Sequence, residues 1–152
     1  MKGDKIIIAL DAGKFAIQTT AVAGVVEVEK LPFLPGRAGF VTGIISFRNE
    51  PVAVVDLAMA LGDFSPAERS THKVIVLRDK GRTLGMDIGE AALSFLWDEE
   101  IGGKTTDEKG LFTSGRIYAK DSTIEIIDWP ALFNETSRML TTEENVKKSP
   151  NS

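Results

Sequence analysis

FVTGIISFRNEPVAVVDLAMALG, residues 40–62, holds two apolar runs on either side of Arg48-Asn49 and ends on an aspartate before a short helix-tolerant segment. Two runs split by a two-residue turn predict a β-hairpin. Asp56 stands where a strand gives way to a helical turn over 57–61. Its carboxylate is placed to accept the free N–H groups of that turn, and Gly62 is the stop.

The rest of the chain repeats this texture. KIIIAL, KFAIQ, GVVEVEKL, KVIVL, TLGMDI, RIYAK and TIEII are short β-rich runs divided by turn residues, and no long amphipathic helix interrupts them. A second helical turn is expected over 129–133, capped by Asp128 and stopped at Asn134. WDEEIGGKTTDEKG, residues 97–110, reads as a polar loop.

The two halves also resemble each other. Lys5-Ile6-Ile7-Ile8 and Asp11-Ala12-Gly13-Lys14 recur as Lys73-Val74-Ile75-Val76 and Asp79-Lys80-Gly81-Arg82. Thr42-Gly43, Arg48-Asn49 and Val54-Val55-Asp56-Leu57 recur as Ser114-Gly115, Lys120-Asp121 and Ile126-Ile127-Asp128-Trp129. Two similar β units are expected, at about 5–62 and 73–134, joined through DFSPAERSTH and open to strand exchange. Together they make a single domain over 1–138, followed by a mobile tail over 139–152.

Composition narrows the function. With 152 residues and 43% hydrophobic content, the chain can bury a core. It has no cysteine, which removes disulfides, thiolate catalysis and cysteine-held metals and suits a reducing cytosol. The five-residue apolar run at 6–10 is too short for a signal-peptide core or a membrane span, so direct membrane insertion is not expected. A net charge of −4 argues against nucleic acid. No phosphate-binding loop, dinucleotide fingerprint or metal-ligand pattern occurs, and no cofactor is expected. Asp56 and Asp128 form the sole matched carboxylate pair and could in principle serve acid–base chemistry, but capping explains both. His72, in a polar linker, is read as solvated. Trp97, Tyr118 and Trp129 are too dispersed for base stacking and read as core or rim aromatics.

Residues 40–57 closely resemble the CheW family of chemotaxis coupling proteins, whose pattern here is near F-[VI]-x-G-[VI]-x-N-L-R-G-x-x-x-P-[VI]-x-D-L. The resemblance extends over about 5–133, through KFAIQTTAVAGVVEVEKLPFLPGRAGF and the closing IEIIDWPALF. The chain departs at Ser46, Phe47, Asn49 and Ala53. It also has Gly24 where the family usually has glutamate, and Gly89 where an aspartate often stands.

The resemblance implies an all-β fold of two SH3-like five-stranded barrels packed together. It implies a non-catalytic scaffold linking the cytoplasmic tip of a chemoreceptor to the regulatory domain of a CheA-type histidine kinase. Matched residue by residue, it places partner contacts at Val22, Val25, Phe40, Gly43, Ile44 and Arg48. The apolar members are also candidates for ordinary barrel core, and Arg48 for a salt bridge with Glu50 or with a carboxylate on the other barrel. The alternative function is a stand-alone β-barrel module binding a small ligand or a non-chemotactic partner.

Overall fold

The computed structural model describes residues 4–31, 39–62, 71–105, 110–119 and 121–147. In chain order the elements are β1 (Lys5–Leu10), β2 (Gly13–Gln18), a 3-10 turn (Thr19–Ala21), β3 (Val22–Val28), β4 (Val41–Phe47), β5 (Glu50–Asp56) and α1 (Leu57–Ala60). The second half contains β6 (His72–Asp79), β7 (Arg82–Asp87), β8 (Ala92–Leu96), a 3-10 turn (Asp98–Glu100), β9 (Gly103–Thr105), β10 (Thr113–Ala119), β11 (Ser122–Ile127) and α2 (Trp129–Lys147). The stretch expected as a loop over 97–110 thus contains a 3-10 turn and a short strand. Much of the joining segment, residues 63–70, lies outside the described residues, as does Lys120.

The strands form two curled sheets, ordered β8-β1-β2-β11-β10-β9 and β3-β6-β7-β5-β4. Apart from the short β9, the two orders correspond strand for strand: β8 with β3, β1 with β6, β2 with β7, β11 with β5, and β10 with β4. Each SH3-like barrel therefore takes its first hairpin from the opposite half of the chain. The exchange is made by two parallel pairings, β2 with β11 and β7 with β5.

Pleating assigns the core. Ile7 and Ala16 join Leu96, Ile117, Ala119 and Ile124 inside one barrel. Val74 and Val76 join Ile45, Val52 and Val54 inside the other. Between the barrels lies the largest cluster, including Ile8, Phe15 and Ile17 from one side and Ile75, Leu77, Leu84 and Met86 from the other.

These assignments correct the hairpin alignment read from sequence by one residue. Leu10 pairs with Gly13 around Asp11-Ala12, whereas Asp79 pairs with Arg82 around Lys80-Gly81. Ile7 is thus the counterpart of Val76, not of Ile75. The slip matters because one residue moves a strand's side chains to the opposite face. The glycines misled the alignment: Gly13 begins a strand, whereas Gly81 sits within a turn.

The second repeated block needs no correction. The Asp56 and Asp128 N–H groups donate to the carbonyls of Phe40 and Phe112, each at 2.8 Å. Their carboxylates accept from the N–H groups of Met59 at 3.1 Å and Ala131 at 3.2 Å, so both aspartates are helix caps. Phe40 and Phe112, which occupy the same position in the two repeats, meet edge to face with centroids 5.5 Å apart. That contact between counterparts marks a pseudo-twofold axis. Asp56→Ala is expected to lower stability by about 1 kcal/mol in denaturant titration, and Asp56→Asn, which retains a capping oxygen, by much less.

The last helix departs most from expectation. It runs through Asn134 and past residue 139 to Lys147, where a stop and a mobile tail were read. Leu132 and Thr136 are buried, and Met139 and Leu140 pack on the central cluster. This is one face of a 3.6-residue period. Asn134 is exposed, so its modest helix propensity is overridden by packing on the opposite side. On the same helix Arg138 hydrogen-bonds Glu135 through Nε and Nη2, which holds the Glu135 carboxyl below its ordinary pKa. No helix among the described residues is long and apolar enough to cross a membrane.

Candidate partner-binding surface

β3 and β4 are the end strands of the five-stranded sheet, and side chains at the end of β4 reach across the seam to β3. Phe47 and Arg48 bridge this seam. Arg48 lies at the β4–β5 turn with φ +51°, beside Asn49 at +66°, the left-handed pair that a two-residue hairpin turn requires. Its Nη2 donates to the Ala23 carbonyl of β3 at 3.3 Å, and its guanidinium sits 4.9 Å from the centroid of the Phe47 ring. A Cβ at Gly24 would stand only 2.9 Å from Phe47 Cε1. Two departures from the family pattern, Gly24 and Phe47, are therefore one packing solution: the wider ring fills the space left by the missing side chain.

The six residues singled out in the sequence are not one contiguous patch. Val22 and Phe40 are half-buried against the central cluster. Gly43 is buried in the barrel wall, just after a bulge in the β4–β5 pairing. Val25, 45% exposed, lies on β3, while Ile44 is half-buried on β4 and Arg48 is exposed at the turn that follows. Arg48 reaches β3 two residues from Val25, and Ile44 lies on β4 four residues before Arg48, opposite Ala53.

Two pairings differ from the sequence reading. Glu50 is bound by Arg78 at 2.7 Å, not by Arg48, whose partner is a backbone carbonyl. His72 is not solvated in a linker. It begins β6 and places Nδ1 2.6 Å from Asp87 Oδ2, while the other Asp87 oxygen accepts the Gly89 N–H at 2.8 Å. Gly89 has φ +62°, so the residue that replaces a common family aspartate allows the backbone to fold over Asp87.

Two clefts open between the barrels, each where a hairpin turn of one approaches the helical segment after the last strand of the other. One, of about 410 Å³, is lined by Ala12, Phe15, Leu61 and Phe112, with Leu111, 81% exposed, beside it. The other, of about 450 Å³, is lined by Ile17, Thr20, Asp79 and Trp129. Among the described residues no group of three or more His, Cys, Asp or Glu is placed to hold a metal. The Asp56 and Asp128 carboxylates are engaged as caps.

Paired SH3-like barrels with exchanged hairpins, an exposed cationic seam and apolar inter-barrel clefts define a class of β-barrel protein suited to docking other molecules. The chain belongs to the CheW-like domain family, whose model matches residues 5–137. A curated relative, "Probable chemotaxis protein CheW" of Rhizobium etli, is 25% identical over 142 residues, covering 89% of this chain and 91% of that protein. The crystal structure of the scaffolding protein TtCheW from Thermoanaerobacter tengcongensis has the same fold, with a TM-score of 0.67 at 20% identity. It covers 84% of this chain and 89% of that one. The family is one of chemotaxis scaffolds.

Proposed function

We propose that this protein is a cytoplasmic adaptor that couples the cytoplasmic tips of chemoreceptors to the regulatory domain of a CheA-type histidine kinase. The observation that carries the reading is the family match over residues 5–137, which includes the whole hairpin bearing Arg48. The seam supports it physically. An exposed guanidinium held over an aromatic ring and bonded to the Ala23 carbonyl is preorganised to orient a partner carboxylate, and Val25 and the half-buried Ile44 supply apolar surface on β3 and β4. The inter-barrel clefts offer apolar walls to a receptor helix.

The test is direct binding of the purified chain to the kinase regulatory domain and to a receptor-tip helical hairpin from the same cell. Binding to neither would overturn the proposal. Arg48→Glu is expected to weaken partner binding at least about tenfold while the fold persists, since charge reversal at a rim acts on orientation and encounter. Losing the exposed bond to Ala23 should itself cost no more than about 1 kcal/mol. A large fall in melting temperature with unchanged affinity would make Arg48 a seam fastener only.

The cleft volumes favour a second reading, a module for a small ligand, because about 300–1,000 Å³ is the usual range for such sites. Selective binding of small molecules at Phe15 and Phe112, with no affinity for kinase or receptor, would support it.

A further inference from the structure

We propose that the end of the six-stranded barrel formed by β8 and the following 3-10 turn is a docking site for a cationic, extended segment of a partner protein. Phe95 and Trp97 are 47% and 44% exposed, with ring centroids 4.6 Å apart. A tilted pair of aromatic rings in contact and open to water is costly surface to leave uncovered.

Among the described residues β8 pairs with β1 alone, and Ala92 and Ser94 on it are exposed. An extended segment lying along this end of the barrel could set apolar side chains against the two rings.

Charge selects the occupant. Asp98, Glu99 and Glu100 follow Trp97 directly in the 3-10 turn. Asp98 is 4.0 Å from the buried Lys5 ammonium, and Glu100 accepts the Trp97 N–H at 2.9 Å. Glu99 is exposed and makes no ion pair among the described residues. Lysine or arginine side chains of a partner would meet carboxylates and the Trp97 face together, combining ion pairing with cation–π attraction. Anionic lipid headgroups and nucleic-acid phosphates would be repelled by the same turn.

The repeat sharpens the assignment. Phe95 pairs with Ile6 as Val25 pairs with Ile75, so Phe95 and Val25 occupy the same place in the two barrels. Val25 is followed on its face of β3 by the exposed Glu27 and has the Arg48 cation bonded two residues back. At Phe95 the corresponding place is taken by Trp97, directly before the acidic turn. The aromatic pair is thus a feature of β8 that its counterpart strand lacks.

Trp97 provides the readout, because the chain has two tryptophans and Trp129 is buried. The full chain is titrated with a ten-residue peptide alternating Arg or Lys with Leu or Val, with the same peptide carrying Glu at the basic positions, and with phosphatidylglycerol vesicles. The basic peptide should shift Trp97 emission and bind at least ten times more tightly than the acidic one. Phe95→Ser should cut that affinity about tenfold, and Glu99→Lys should reverse the charge preference. Both variants should keep the wild-type circular dichroism spectrum, since both positions are exposed. Equal affinity for the two peptides, no loss with Phe95→Ser, or comparable binding to the vesicles would overturn the proposal.

Discussion

Leu132→Ala is expected to lower the unfolding free energy by about 2–5 kcal/mol, the largest effect of any single change proposed for this chain. Leu132 is fully buried on α2 and packs in the central cluster with Trp129, Leu57 and Phe112. Its loss removes apolar burial and leaves a cavity lined by elements of both repeats, so neither can collapse alone to fill it. Its carbonyl also accepts the Thr136 hydroxyl at 2.8 Å, and that bond is backbone-anchored and survives the substitution. Chemical denaturation should show a lower midpoint with an unchanged denaturant slope, because the surface exposed on unfolding is nearly the same. A change below 1 kcal/mol would mean that α2 is only loosely held.

The second large effect lies at the barrel seam. Gly24→Leu is expected to cost about 1–3 kcal/mol, because the new side chain must enter space already occupied by the Phe47 ring. Phe47→Leu alone should also destabilise, by leaving that space underfilled. The double variant should recover much of the loss, giving a coupling energy of about 1 kcal/mol or more in a double-mutant cycle. Simple additivity would show that the two departures from the family pattern are independent. The cycle also bears on binding, since the Phe47 ring is the platform beneath Arg48.

Among the described residues, nine of the eleven strands were legible because each run of β-formers is bounded by turn residues, whereas β8 and the short β9 were not read as strands. Both caps were legible because an aspartate between strand and helix has one economical use. The register of the first repeated hairpin was not. Glycine matched glycine by letter, while the backbone used Gly13 and Gly81 differently. Helix α2 was cut short because Asn134 looks like a stop, and only the buried face of Leu132, Thr136, Met139 and Leu140 shows why it is not.

At the candidate surface, sequence found Arg48 but not its partner, since a backbone carbonyl has no letter. His72 was misread for a related reason: its polar neighbours suggested a linker, but Asp87, which binds it, is contributed by the adjacent strand. The exposed Phe95–Trp97 pair was also missed. Alternation does not say which of two faces will be covered when a barrel stands against only one neighbour.

The exchanged hairpins also constrain how the protein is made. Closing the second barrel requires β2, near the start of the chain, to wait for β11, as in the pairing of Ala16 with Ile126. Closing the first requires β5 to wait for β7. Such distant pairings carry a loop-closure entropy that is met before any contact offsets it, so folding is slow relative to a protein of local contacts. On a ribosome the emerging first repeat holds a hairpin whose eventual neighbours have not yet been synthesised. The barrels are accordingly expected to form and melt as one cooperative unit, and a break between the repeats should release two fragments, each with an incomplete sheet.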